Sequence, residues 1–137
     1  MKLMPTLTMI IVSAFCLAAC ATTTKSPQGP GELAVIILPA SDVQIFQTAA
    51  RQEGASVYVE GKVQRKMPRR RMVPTGHVDI AIVDQKGKTL HHVSTRYSPE
   101  IIPRSHGMMS SFATQIPVLA PPGSFITVKF HSGDHDS

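Results

Sequence analysis

Short runs in which apolar and polar residues alternate, separated by Gly and Pro, fill the chain after residue 32. In Ser56 to Arg65, Val57, Val59, Gly61 and Val63 take one side, and Tyr58, Glu60, Lys62 and Gln64 take the other. That period of two is the mark of a half-buried strand. Gly76 to Tyr97 reads as a hairpin, with Val78, Ile80 and Ile82 alternating against His77, Asp79 and Ala81. A turn at Asp84 to Lys88 follows, and a more polar strand returns through Leu90, Val93 and Thr95. Met109 to Val118 sets Phe112, Thr114 and Ile116 on one face, and Phe125 to His131 alternates Ile126, Val128 and Phe130 with Thr127 and Lys129. Leu33 to Leu38 is a continuous apolar run stopped by Pro39, and its shortness and β-branching favour a buried strand. Ser41 to Gly54 fits two patterns. Ser41 or Asp42 could cap a short helix bearing Val43, Phe46, Ala49 and Ala50, or Val43 and Ile45 could belong to a strand. The balance leans to an irregular or helical segment. Six to seven short strands with Gly and Pro turns and no long helix predict an all-β sandwich over residues 32–131, with a polar tail at 132–137.

The first twenty residues follow another pattern. Lys2 carries one positive charge, Leu3 to Ala19 carries none, and Ala18 and Ala19 lead into Cys20. Such a segment is a signal peptide ending at a small-residue cleavage site. It is too short and too interrupted by Pro5, Thr6, Thr8 and Ser13 for a spanning helix, which needs about 20 apolar residues. Leu17-Ala18-Ala19-Cys20 resembles the lipobox of bacterial lipoprotein precursors. The resemblance implies residues 1–19 as signal peptide, diacylglycerol on the Cys20 thiol, and further acylation of the new amine. Two or more acyl chains give stable attachment where one is marginal. Ala21, rather than Asp, follows the cysteine, which implies sorting to the outer membrane with the domain facing the periplasm. Residues 20–31, rich in Thr, Ser, Pro and Gly, read as a lipidated flexible tether.

Removing 19 of the 137 residues leaves 118, enough for one domain with its own core. Cys16 falls in the removed segment and Cys20 is taken by lipid, so disulfides, thiolate metal sites and cysteine nucleophiles are excluded. The full chain has 14 Lys and Arg against 9 Asp and Glu; without Lys2 the balance is +4. No cofactor other than the lipid is expected.

Within the domain, Val59-Glu60-Gly61-Lys62-Val63, then Pro74 and Gly76 before a strand ending at Asp84, is similar to the opening of the pilotin lipoproteins of type III secretion. Those are lipidated β-sandwiches that escort secretin subunits to the outer membrane. The same start and the Asp84 to Gly87 turn also resemble other immunoglobulin-like modules of bacterial lipoproteins. The likeness spans Val57 to Lys88 and implies an immunoglobulin-like fold and an accessory, partner-binding role.

Two constellations could carry chemistry. Arg65, Lys66, Arg69, Arg70 and Arg71 put five positive charges into seven residues beside Pro68. Arginine forks match phosphates and carboxylates, so the loop could bind a protein partner or an envelope polyanion. It could equally be a solvated loop that maintains solubility. Nucleic acid is not expected, since no aromatic residues interleave with the arginines. The histidines form the second set. Pairing Asp84 with Thr89 puts Ala81 opposite His92, with Asp79 diagonal to it and His77 on the same face. His77, Asp79 and His92 could then hold zinc or copper, and a one-residue change in the turn would substitute His91. His131, Asp134, His135 and Asp136 form a looser group in the tail, and Met108 and Met109 lie beside His106. No nucleophile elbow, His-Glu-x-x-His motif or phosphate-binding glycine loop appears, and Glu53 and Glu60 make no catalytic pair. The expected function is non-enzymatic binding of an unidentified envelope protein, with periplasmic metal binding or polyanion attachment as the alternatives.

Overall fold

A computed structural model of the chain describes residues 22–66, 75–105 and 107–133. These form a small β-sandwich of eight strands, with no helix among the described residues. The strands are β1 (Thr23–Lys25), β2 (Ala34–Ile37), β3 (Val43–Glu53), β4 (Ser56–Arg65), β5 (Gly76–Val83), β6 (Thr89–Thr95), β7 (Ser110–Ile116) and β8 (Phe125–Ser132). One sheet has the order β1-β2-β8-β5-β6 and the other β3-β4-β7. Every pairing is antiparallel except that of β2 with β8.

The core lies between the sheets and is built from the alternating positions. Val78, Ile80, Ile82, Ile126 and Val128 are fully buried from the larger sheet, and Val57, Val59 and Val63 from the smaller. Full burial of a Val or Ile side chain stabilises by about 1.5–3 kcal/mol over exposure. Tyr97 and Ile102, from the β6–β7 connection, close one end.

The segment leaning to helix is instead the longest strand. Val43 and Ile45 face the core, but between Phe46 and Ala49 the register with β4 shifts, so that Gln47 and Thr48 together oppose Gly61. Gln47 takes a left-handed φ of 49° at this bulge. The inward positions become 43, 45, 48 and 50, a mixture of twos and threes that imitates helical spacing. Gly61 is required where the bulge faces it. A Cβ there would stand 2.6 Å from the Phe112 ring and 2.9 Å from Thr48 Oγ1.

The expected tether also contributes structure, since Thr23–Lys25 pairs with Val35–Ile37 as edge strand β1. Backbone pairing needs no apolar side chains, and a short polar strand is a common way to finish a sheet edge. With β1 and β3 added, the strands number eight rather than six to seven. At the hairpin the expected pairing of Asp84 with Thr89 is replaced. A shift between Ile82 and Val83 sets Val83 opposite Thr89, while Ala81 remains opposite His92. Asp84 Oδ1 accepts the N–H groups of Lys86 and Lys88, both at 2.9 Å, and so closes the turn.

Candidate functional site

The outer face of the larger sheet carries the histidines. Inward Val78 and Ile80 force His77 and Asp79 to the opposite side of β5. His77 lies in register with His131 of β8, and Asp79 with Ser94 of β6 and Lys129 of β8. His92, opposite Ala81, reaches Asp79 along the diagonal.

Asp79 is the hub. Its Oδ1 accepts the Ser94 hydroxyl at 2.5 Å and stands 3.3 Å from His77 Nε2 and 3.8 Å from His92 Nε2. Its Oδ2 is 3.2 Å from His131 Nε2. The His77 and His131 rings stack, 6° from parallel with centroids 5.6 Å apart. His77 Nδ1 lies 3.1 Å from the Gly133 carbonyl. The His77 and Asp79 side chains are each 11% exposed, against 37% for His131 and 55% for His92. The cluster thus has a fixed half and a movable half. As the side chains stand, no three His, Cys, Asp or Glu among the described residues are disposed to hold a metal ion.

The structure brings together the three residues the sequence singles out, His77, Asp79 and His92, and adds His131 and Ser94. The sequence groups His131 with Asp134, His135 and Asp136 in the tail, and those three lie outside the described residues. Its place follows from the β5–β8 pairing, which joins segments far apart in the chain and has no local signal. Ser94 has one, because it follows His92 by two on a strand. His91 is exposed and opposite Ile82, so the register selects His92. His106 is outside the described residues, and Met108, expected beside it, is exposed.

The basic stretch divides. Arg65, read both as the end of the Ser56–Arg65 strand and as the first residue of the basic loop, is the last residue of β4 and only 6% exposed. Its Nε donates to the Ile102 carbonyl at 2.8 Å, tying β4 to the β6–β7 connection. Alternation along β4 sends its side chain inward with Val63, so it is withdrawn from any surface role. Lys66 is exposed, its backbone N–H donates to the Asp42 carbonyl at 3.0 Å, and its ammonium donates to the Ala40 carbonyl. Arg69, Arg70 and Arg71 lie outside the described residues, as does Cys20.

A second feature is the outer edge of β7. Ser111 exchanges both backbone bonds with Ser98, at 2.8 and 2.9 Å, on the side away from β4. By alternation the N–H and C=O of Ala113 and Gln115 point the same way. Among the described residues no strand pairs with β7 on that side. The edge of β3 is treated differently, since Leu33 N–H donates to the Ala50 carbonyl and Gln52 N–H to that of Gly31. Beside β7 an open groove of about 240 Å³ is lined by Arg51, Tyr58, Glu60, Ala113 and Gln115 among others. The Arg51 guanidinium lies 5.8 Å from the Tyr58 ring centre and 3.7 Å from Glu60, and its hydrogen bond and charge contact with Glu53 raise its pKa. The exposed large apolar residues among those described are Ile101, Met108 and Leu119. Two of them flank the ends of β7, and the third is in the loop that pairs with it.

The described residues form a small all-β sandwich with a polar cluster on the larger sheet and an open edge at β7. No family model matches the chain, and comparisons with curated proteins and with solved structures give no match.

Proposed function

We propose that the chain is a non-enzymatic lipoprotein, anchored through Cys20 to the outer membrane, whose sandwich binds an extended segment of an envelope protein by adding it as a strand to β7. The observation that carries this reading is the edge from Ala113 to Ile116. It offers outward backbone donors and acceptors and is flanked by exposed Met108 and Leu119. Strand addition takes affinity from main-chain bonds and selectivity from pockets for alternate side chains. Small Ala113 beside the groove leaves room for such a side chain. The edge of β6 supports the reading less well, because its exposed residues Thr89, His91, His92 and Ser94 are all polar. The tether and the lipobox support a membrane-held module, and the likeness to pilotins supports an accessory role.

The test is photocrosslinking in cells from a reactive residue at position 115 or 119, with position 88 in the far turn as control. Discrete adducts with one protein are expected from 115 and 119 only. Ala113→Pro, which removes an outward N–H on an edge strand where proline is tolerated, should abolish them while the protein still accumulates folded. Equal adducts from position 88, or adducts indifferent to Ala113→Pro, would overturn the reading.

A further inference from the structure

We infer that one end of the sandwich, the end bearing Ile101 and Met108, rests directly against the lipid surface that holds the anchor. The inference depends on the proposed Cys20 anchor and not on the β7 edge.

The chain leaves little slack between lipid and fold. Cys20 precedes Thr23 by three residues, a reach of at most about 10–11 Å. Thr23–Lys25 is fastened to the domain by its pairing with β2, and Lys25 Nζ donates to the Thr48 carbonyl at 3.4 Å. Acyl chains on Cys20 would sit in the bilayer and hold that residue at the headgroup boundary. A sandwich tied this closely cannot stand off, so part of its own surface lies on the membrane.

Strand register tells which part. Thr23 stands in one row with Ile37, Val128 and Ile80. Strand β1 therefore enters from the end where β2 and β8 finish and β5 begins. The smaller sheet brings the start of β3 and the finish of β4 to the same end. There the Lys66 N–H donates to the Asp42 carbonyl, and its ammonium to the Ala40 carbonyl just beyond β2. The bonds from Arg65 Nε to the Ile102 carbonyl, and from Gly76 N–H to the Tyr97 hydroxyl, place the β6–β7 connection there too.

That connection carries Ile101 and Met108, each more than half exposed. A lone exposed apolar side chain is ordinary. Here two of the three large ones among the described residues share one loop at the end where the anchor arrives. Ile102 already fills the neighbouring core position, which leaves Ile101 outside. Both side chains gain by leaving water for the acyl boundary. Lys66, Arg96 and Arg104 are exposed at this end against Asp42 and Glu100, with Arg96 and Glu100 paired at 3.2 Å. That balance is close to neutral, so the apolar pair, rather than charge, seats the domain. The β1 edge offers no such contact, since Thr23, Thr24 and Lys25 are polar. Met108, at the near end of β7, is then against lipid. Leu119, at the far end where the Ala120 N–H donates to Gln52 Oε1, is left to a partner strand.

The experiment uses the mature protein as cells make it, reconstituted into vesicles of phosphatidylethanolamine and phosphatidylglycerol. Mass spectrometry first tests for acyl chains on Cys20. With Cys16 removed and Cys20 acylated, Ile101→Cys, Arg104→Cys, Leu119→Cys and Gln28→Cys each introduce the sole reactive thiol, which takes an environment-sensitive fluorophore. Lipids carrying a quencher near the headgroup should quench the label at 101 and 104 several-fold more than at 119 or 28. Adding Ile101→Asp with Met108→Asp should lower the quenching at 104 several-fold, with circular dichroism unchanged because both side chains are exposed. Acylated protein quenched equally at all four positions, or most strongly at 28, would overturn this seating and leave the anchor standing. Quenching at 104 indifferent to the two aspartates would overturn the part given to the apolar pair. An unmodified Cys20 would overturn the anchor and this inference with it.

Discussion

Tyr97 holds the first residue of β5: its hydroxyl accepts the Gly76 N–H at 3.2 Å. Gly76 has no room for a side chain, since a Cβ would collide with the His131 carbonyl oxygen and stand 2.7 Å from the Phe130 ring. The phenol therefore steers the chain as it enters the strand that carries His77 and Asp79. Burial pushes the Tyr97 pKa up, and the Gly76 hydrogen bond offsets part of the rise.

Tyr97→Phe should cost about 1–3 kcal/mol, because it leaves a part-buried N–H without its acceptor. A phenol whose folded pKa lies above the unfolded value of about 10 contributes stability that is complete below that value. The contribution is lost as the pH rises from there through the folded pKa. Urea midpoints at pH 8 and pH 11 should thus fall further for the wild type than for Tyr97→Phe. Equal falls would show that the phenol is not responsible.

The bulge in β3 and the ring of Phe112 meet over Gly61. Gly61→Ala should destabilise by about 1–3 kcal/mol, as overpacking does. Combined with Phe112→Leu it should cost less than the two single changes added together. Strict additivity in denaturant unfolding would mean that the methyl and the ring do not compete for the same space.

Adjacent Arg65 and Lys66 should behave oppositely. Arg65→Ala removes a buried side chain and the donor to the Ile102 carbonyl, a loss of about 1–3 kcal/mol. Lys66→Ala, on the surface, should stay within about 0.5 kcal/mol of the wild type. Thermal unfolding separates the two, and a neutral Arg65→Ala would return that residue to the surface role read from the sequence.

Cys20→Ser removes the thiol that the lipobox-like sequence would offer for acylation. The variant should keep its signal segment and lose metabolic labelling by palmitate. Wild-type protein should label and should partition into detergent phases. Labelling retained in Cys20→Ser would refute the anchor.

Strands with strict alternation are legible from the residues alone. Ser56–Arg65 and the two hairpin strands lie where the pattern puts them, and the runs read as Met109–Val118 and Phe125–His131 are found as Ser110–Ile116 and Phe125–Ser132. Val43–Glu53 is not legible, because its bulge changes the inward phase halfway along. Thr23–Lys25 escapes for a different reason: it is held by backbone pairing with β2 and by Lys25 Nζ donating to the Thr48 carbonyl, neither of which its polar composition reveals. Of the candidate site, His77, Asp79 and His92 can be read from one hairpin. His131 cannot, since its neighbours come from the other end of the domain. Arg65 misleads because a charged residue between Gln64 and Lys66 looks like loop, although alternation along β4 already sends it inward.

Strand β8, the last in chain order, sits in the middle of its sheet, bonded on one side to β5 and on the other, in parallel, to β2. The β1–β2 pair consequently joins the rest of its sheet only through the last-made strand. Topologies dominated by such distant pairings fold in about milliseconds to seconds. β1 can pair with β2 early, but the other edge of β2 stays open until the eight residues of β8 are in place. The larger sheet is completed only when the end of the domain is threaded into its middle.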